Sequence, residues 1–396
     1  MPEVAPVVSL QNPNIEKPNI LVFRDKLLLP SEGFIKTHYT AFDSANLVYL
    51  ASQFGWRAAE LDGQRMATAS GALQRFLFKQ TGHTPRLADL RRLAPQSVHA
   101  HFGRGGALAL PLAQALGVPL YVTFHGGDAT KETHRRRRLI PTIYQRRLSQ
   151  LQAYASGFLC VSQFVADRLA AQGFPKSKLI THYIGIDLAQ MTPPHQRNGR
   201  LLFIGRLVDK KGVDILLAAM RRLQTAQTAQ TAQNVNTPNM KMPNMKMPGL
   251  DIAGAGPLEN ELRAQAADLP SVRFLGWQTP QQLATIMRTA QAVVVPSRIA
   301  VDGDCEGLPT VVLESIRAGL PVVATNHAGI PEIIRDQETG FLVPENDPDA
   351  LAAALSAVMQ PGSHIQQMVV NAQARLQQNF NAAIQSEKLQ RRLLGR

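Results

Sequence analysis

Two glutamates stand with seven residues between them in Glu306-Gly307-Leu308-Pro309-Thr310-Val311-Val312-Leu313-Glu314. Pro309 and Thr310 are suited to start a helix, and Gly319, followed by Leu320-Pro321, to end it. One carboxylate therefore precedes the helix and the other lies inside it. A helix N-terminus offers unpaired backbone N–H groups and a partial positive charge, which suits a phosphate, while carboxylates accept hydrogen bonds from hydroxyls. A sugar joined to a nucleoside diphosphate would use both. The plainer alternative is two solvated glutamates on an amphipathic helix.

Upstream, the apolar run Leu201-Leu202-Phe203-Ile204 ends in Gly205-Arg206, followed by Lys210-Lys211-Gly212 and a helical pattern from Val213. Strand, tight loop and helix is the geometry in which α/β sheets hold ligands at strand carboxyl ends. Arg206 would bring a planar fork to a diphosphate and Lys211 a mobile point charge; without such a ligand the segment is a solvated charged loop. A second strand pattern, Leu250-Asp251-Ile252-Ala253, runs into Gly254-Ala255-Gly256-Pro257. A lone Gly-x-Gly says little; the order of the segments says more.

These segments must be carried by alternating strands and helices. Asn19–Phe23, residues 97–102 and Leu120–Phe124 read as strands, with a helical stretch at 107–116 between the last two. That alternation favours parallel sheets and an α/β class. A chain of 396 residues exceeds one usual core, and the polar, proline-bearing stretch 191–199 is the best boundary. The expected organisation is an N-terminal domain over 1–192, a linker at 193–199, a donor-nucleotide domain over 200–375 and a helical tail at 376–396. A threefold Thr-Ala-Gln repeat at 225–233 and two copies of Pro-Asn-Met-Lys-Met at 238–247 mark 224–248 as a low-complexity insertion, expected as a mobile surface loop.

Taken in order, these residues resemble the retaining glycosyltransferases of family 4, whose GT-B fold sets two Rossmann-like domains facing across a cleft. The resemblance rests on Phe203-Ile204-Gly205-Arg206-Leu207 with Lys211, Gly254 to Pro257, Phe274-Leu275-Gly276-Trp277, Val295-Pro296-Ser297, the two-glutamate motif and Gly329-Ile330-Pro331-Glu332. In the first half it rests on Thr123-Phe124-His125-Gly126-Gly127-Asp128, Val161-Ser162 and Tyr183-Ile184-Gly185-Ile186-Asp187.

The resemblance implies roles residue by residue. Arg206 and Lys211 would bind the donor diphosphate, Glu314 the ribose hydroxyls and Glu306 hydroxyls of the transferred sugar. Gly307, Leu308 and Pro309 would lie beside sugar and phosphate, although Pro309 has no N–H to donate. Gly276 and Trp277 fall in the base-contacting segment, where Trp277 either stacks on a base or is a structural aromatic. His125 matches the family's active-site histidine; outside that context it reads as a turn histidine beside a Gly-Gly bend. Asp128 could cap the following helix. In the first loop, Ser31-Glu32-Gly33-Phe34 departs from the commoner Ser-Glu-Thr-Phe form, which leaves Gly33 an open phosphate contact. His99 and His101 share one strand face, but no third metal ligand stands out and no metal is expected. The donor is a nucleotide diphosphate sugar and no further cofactor is implied; attack from the front face, with retention, would let Arg206 and Lys211 replace a metal at the departing phosphate.

Formal net charge is +13, and residues 1–190 hold 22 Lys and Arg against 12 Asp and Glu, so the excess belongs to the first domain. Arg135 to Arg138, followed by Ile143, Tyr144, Arg146 and Arg147, alternate basic and apolar faces. Such a helix suits an anionic membrane surface, or is a core helix with a solvated basic rim. No helix-turn-helix, zinc-finger or RNA-binding signature accompanies the charge, so nucleic acid is not expected as a partner. No apolar run reaches membrane-spanning length and the first residues lack a leader pattern, which points to a cytoplasmic protein, peripheral at the inner face of the membrane if the basic helix acts there. Cys160 and Cys305 are too few for a disulfide framework.

The expected activity is transfer of a hexose from a nucleotide diphosphate sugar to a glycan acceptor, a lipid-linked exopolysaccharide or lipopolysaccharide precursor. Other readings stay open. One is a GT-B transferase making a small glycoside or storage sugar, separable by membrane co-sedimentation. A silent nucleotide- or glycan-binding protein would bind without transfer, and an epimerase of related fold would release an isomerised sugar nucleotide.

Overall fold

The computed structural model describes residues 17–27, 33–69, 71–131, 141–189, 191–192, 197, 199–236, 247–360 and 362–396. The basic run Arg135 to Arg138 and the residues Ser31 and Glu32 lie outside them, as does most of the Pro-Asn-Met-Lys-Met pair. The chain divides into two compact units, one of residues 1–187 with 379–396 and one of residues 188–378.

The first unit is built on β1 (Asn19–Phe23), β2 (Lys26–Leu27), β3 (Asn46–Ala51), β4 (Gln53–Phe54), β5 (Gln64–Ala67), β6 (Ser97–His101), β7 (Leu120–Phe124), β8 (Gly157–Cys160) and β9 (Leu179–Thr181). Seven of these form a sheet in the order β5-β3-β1-β6-β7-β8-β9, parallel throughout, while β2 and β4 pair separately. The strands are short apolar runs because both faces are covered. On one face Leu21, Phe23, Val98, Val122 and Phe158 pack with Leu108 and Leu112 of the helix Gly103–Leu116. On the other, Ile20, Val22 and Leu159 meet Leu389 and Leu393 of the last helix, Ala382–Leu393. Burying each such side chain contributes about 1.5–3 kcal/mol. The helix expected over 107–116 begins earlier, at Gly103, directly from β6.

The second unit has β10 (Arg200–Ile204), β11 (Gly249–Ala253), β12 (Val272–Gly276), β13 (Ala292–Val295), β14 (Val322–Thr325) and β15 (Phe341–Val343), ordered β12-β11-β10-β13-β14-β15 and parallel. This is the doubly wound order of a dinucleotide-binding sheet, with its switch point between β10 and β13. The loops leaving these strands touch backbone to backbone. At Gly254, φ is +149° and an added Cβ would lie 1.8 Å from the Gly205 carbonyl oxygen. At Gly212, φ is +62° and a Cβ would lie 1.9 Å from the Pro296 carbonyl. Only glycine permits that approach.

One expectation is corrected. The Thr-Ala-Gln repeat does not form a loop: the helix Val213–Asn236 runs through all of it. Alanine and glutamine are good helix formers, and threonine costs only a few tenths of a kcal/mol, so a helix already nucleated on packed residues continues. Among the side chains described, the buried core residues of this helix are Val213, Leu216, Leu217, Ala219, Met220 and Leu223, all before the repeat.

Candidate functional site

Each unit carries a cluster of polar side chains at the carboxyl ends of its central strands. In the second unit it lies at the switch point. Lys210 and Lys211 sit in a short 3-10 turn after β10, Asp209–Lys211. Arg298, just past β13, fixes that turn: its guanidinium meets Asp209 Oδ1 at 2.5 Å and Asp214 Oδ2 at 2.9 Å, and its N–H donates to the Lys210 carbonyl at 2.9 Å. Val301 N–H donates to the other Asp209 oxygen at 3.0 Å.

Into this frame the chain delivers Glu306. Its Oε1 lies 3.1 Å from Lys211 Nζ and 3.3 Å from Lys210 Nζ, and Lys210 also meets Asp304 Oδ1 at 3.4 Å. Burial alone would push the Glu306 carboxyl up, but the two ammonium groups outweigh it and hold it down at about 2. Glu306 is therefore ionised at neutral pH. Lys210 is pushed up, because Glu306 and Asp304 outweigh its burial.

His327, 1% exposed, orients the Glu306 segment. Its Nδ1 lies 2.6 Å from Glu345 Oε1, and its Nε2 accepts the Glu306 backbone N–H at 3.3 Å. Burial lowers its pKa against the pull of Glu345. A neutral ring with the proton on Nδ1 satisfies both contacts at once. The other Glu345 oxygen accepts the Ile299 N–H at 2.9 Å.

Gly307, Leu308 and Pro309 follow, buried, and Pro309 caps the helix Thr310–Arg317. Glu314 lies on that helix; burial raises its pKa against Arg317 and a Thr310 hydrogen bond. Arg206 is exposed in the loop after β10, with no ion-pair partner among the described residues. Gly276 ends β12 with φ +68°, and Trp277 beside it is 65% exposed. The second unit thus brings Lys211, Glu306 and the Gly307 to Pro309 turn together, places Glu314 on the helix that follows that turn, and gives Arg206, Gly276 and Trp277 places at the ends of β10 and β12.

The first unit gathers five of the chain's ten histidines. His125 follows β7 in a bend fixed by Asp128, whose carboxylate accepts N–H bonds from His125 (2.9 Å), Gly126 (3.1 Å) and Gly103 (3.0 Å). Asp128 is thus a clamp between two strand-end loops. His125 Nε2 lies 3.1 Å from His101 Nδ1. Tyr39 Oη lies 2.7 Å from both His101 Nε2 and His99 Nδ1, and His99 Nε2 lies 2.7 Å from Thr123 Oγ1. Both ring nitrogens of His99 and of His101 are thereby engaged, and among the described residues no three His, Cys, Asp or Glu side chains are placed so that they could hold a metal ion together. Gly33 opens the short helix Gly33–Thr37, whose Phe34 ring lies 4.7 Å from that of His125.

Sequence reading named Lys210 only as a neighbour of Lys211, and missed Asp304, Arg298, His327, Glu345, Tyr39, His38 and His182. His327 had a visible signal, two residues before Gly329-Ile330-Pro331-Glu332. The others are recognised only through contacts across the fold.

Comparison with known proteins meets this geometry. The family described as glycosyl transferases group 1 matches residues 198–361, and glycosyltransferase family 4 matches residues 48–190. The amylovoran biosynthesis glycosyltransferase AmsK of Erwinia amylovora is 30% identical over 312 residues, spanning 76% of this chain and 70% of that protein. The chain belongs to glycosyltransferase family 4. This glycosyltransferase is also 29% identical over 303 residues to the putative colanic acid biosynthesis glycosyltransferase WcaL of Escherichia coli, covering 73% of its own length and 68% of the relative. Among solved structures, Anabaena Alr3699/HepE in complex with UDP aligns with TM-score 0.72 at 17% identity, over 96% of this transferase and all of that chain. The lipopolysaccharide outer core galactosyltransferase WaaB aligns with TM-score 0.67 at 14% identity, over 96% and 99%. At these identities the likeness is one of fold, and it is the GT-B fold.

Proposed function

We propose that this glycosyltransferase moves a hexose, with retention and without a metal, from a nucleotide diphosphate sugar to a lipid-linked precursor of a surface polysaccharide. The observation that carries the reading is Glu306 held between Lys210 and Lys211 at the switch point of a doubly wound sheet. A nucleotide diphosphate would lie along the strand ends, with Arg206 and Lys211 on its phosphates, Glu314 on the ribose and Glu306 on the sugar. The bond from the sugar's anomeric carbon to the diphosphate breaks, the acceptor oxygen bonds to that carbon on the same face, and the acceptor's proton passes to a phosphate oxygen. Fixed cations stabilise the charge that develops on the leaving group more than they stabilise the ground state.

The relatives named for colanic acid and amylovoran synthesis support the polymer assignment, and the UDP complex supports a nucleotide donor. Two observations bear on the membrane-linked acceptor. No helix among the described residues is long and apolar enough to cross a membrane. On the helix Ala72–Thr81, Leu73, Phe76 and Leu77 are 70%, 58% and 47% exposed, alongside Arg75 and Lys79 and with no acidic residue. Such a face suits an anionic lipid surface. Of the basic helix, Arg135 to Arg138 lie outside the described residues; in Ile143–Tyr154, Arg147 donates to the carbonyls of Ala107 (2.9 Å) and Thr81 (2.5 Å), and Arg146 to Gln80.

The test is a product assay with a panel of nucleotide sugars on a membrane extract. Transfer that survives EDTA and yields a product keeping the donor's α configuration is expected. An inverted product, or activity abolished by EDTA and restored by a divalent ion, would overturn the mechanism.

A further inference from the structure

In the first unit, four side-chain hydrogen bonds form one unbranched chain, Thr123–His99–Tyr39–His101–His125. Every member before His125 is buried, and burial, with mutual repulsion among the rings, keeps the three imidazoles neutral at physiological pH. A neutral imidazole has one N–H and one lone pair, and the Tyr39 hydroxyl has one proton for two histidines. Choosing the donor at one link therefore fixes its neighbours, except at Tyr39, whose oxygen can also accept from both rings.

If Thr123 donates to His99 Nε2, then His99 Nδ1–H donates to Tyr39, Tyr39 to His101 Nε2, and His101 Nδ1–H to His125 Nε2. His125 must then carry its own proton on Nδ1. If the chain runs the other way, all three rings carry the proton on Nε2. The one mixed arrangement that keeps every link has His99 Nδ1–H and His101 Nε2–H both donating to the Tyr39 oxygen, and it leaves two groups unused, the Tyr39 hydroxyl proton and the lone pair of His125 Nδ1.

The two directions are not equivalent. Among the described residues nothing pairs with His125 Nδ1. The first direction leaves only that N–H unused. The second leaves two groups unused, the lone pair of His125 Nδ1 and the Thr123 hydroxyl proton. Buried polar groups without partners are costly, so the first direction wins.

We propose that Thr123, His99, Tyr39 and His101 are positioning residues that hold His125 in the Nδ1–H tautomer, so that it presents a fixed N–H donor to an oxygen of the bound sugar or phosphate. His38 and His182, whose rings stack at 5.8 Å, lie beside the chain without joining it. That the oxygen belongs to a sugar nucleotide or its acceptor rests on the transferase reading above; the tautomer assignment does not.

The two parts are tested separately. Two-bond ¹⁵N–¹H spectra of the ¹⁵N-histidine-labelled full chain, assigned with single histidine variants, report the tautomer of each ring without any substrate. His99, His101 and His125 should all show the Nδ1–H pattern. In Thr123→Val the first direction loses its advantage, because each direction then leaves two groups unused. His125, four hydrogen bonds away, should shift to averaged tautomers, and Thr123→Ser should restore the parent pattern. An Nε2–H or mixed set of tautomers in the parent would overturn the relay, as would a Thr123→Val spectrum in which His125 is unchanged. In the transfer assay, Thr123→Val should lower kcat by about tenfold, the worth of one hydrogen bond, and leave the affinity for nucleoside diphosphate alone unchanged. Unaltered kcat despite a shifted tautomer would sever His125 from the reaction while leaving the relay intact.

Discussion

Glu306 is the residue at which sequence and geometry part most instructively. Its motif was readable, and so was its neighbourhood with Lys211, because glycine, proline and charged residues at fixed offsets mark strand-end loops. That both lysines clasp the same carboxylate oxygen was not readable, since it depends on Arg298 pinning the lysine turn across 89 residues of sequence. The clasp changes what a substitution should do. Glu306→Gln removes an anion from beside two cations that would serve a diphosphate. Turnover should fall by about 10- to 150-fold, the range for losing a charged hydrogen bond, while affinity for the nucleoside diphosphate, measured by calorimetry, holds or rises. A fall in that affinity would contradict the assignment. The pH dependence has a definite sign. The carboxyl titrates near 4.5 when unfolded and about 2 in the fold, so its ion pairs contribute stability above pH 4.5 that is lost as pH falls toward 2. The gap in thermal midpoint between parent and Glu306→Gln should be widest at neutral pH and close on acidification; a gap independent of pH would count against the clasp.

At the scale of elements, strand identity was legible because buried parallel strands are short apolar runs, as at Asn19–Phe23 and Leu120–Phe124. Helix limits were less so. The helical stretch was read from 107, yet glycines at 103, 105 and 106 let the helix start earlier and lie against Val122, only 2.7 Å from where a Gly106 Cβ would stand. The Thr-Ala-Gln repeat misled in the other direction, because low complexity signals the absence of a core contribution rather than the absence of a helix. Its burial record makes a prediction. Among the side chains described, the last core residue of Val213–Asn236 is Leu223, Arg221 pairs with Asp268 at 2.8 Å, and Met247 packs on the core again before β11. Replacing residues 228–246 by a short Gly-Ser turn should leave the thermal midpoint within a few degrees and turnover unchanged, since changes away from the described core alter stability by only about 0.5 kcal/mol. A cut reaching Leu223 should cost about 2–5 kcal/mol, as a large core truncation does. Equal effects of the two deletions, read by thermal unfolding, would refute the division.

At the scale of the whole molecule, the two-sheet architecture followed from alternation and length, but the assignment of the last segment did not. The final helix buries Leu389 and Leu393 on the first sheet. Ser386 Oγ accepts the Ala41 N–H at 2.9 Å, Gln390 Oε1 accepts the Ser44 N–H at 3.1 Å, and Ile186 exchanges backbone bonds with Phe380 and Ala382. The first two pairs lie 345 and 346 positions apart in the chain, a separation that local periodicity cannot register. Ending the chain at residue 378 should therefore damage the first unit and spare the second. Proteolysis should cut residues 17–187 rapidly and leave a protected fragment near 188–378; equal protection of both would show the tail to be dispensable.

That arrangement also sets an order of events on the ribosome. The second unit is continuous in sequence and has everything it needs once residue 378 has emerged. The first unit is translated earlier but must wait, one sheet face uncovered, for its last eighteen residues. Domains usually complete themselves in the order in which they are made. Here the unit made first is finished last, so the half of the chain that carries His125 spends the whole of synthesis with Ile20, Val22 and Leu159 awaiting their cover, and that is the interval in which a chaperone would have most to do.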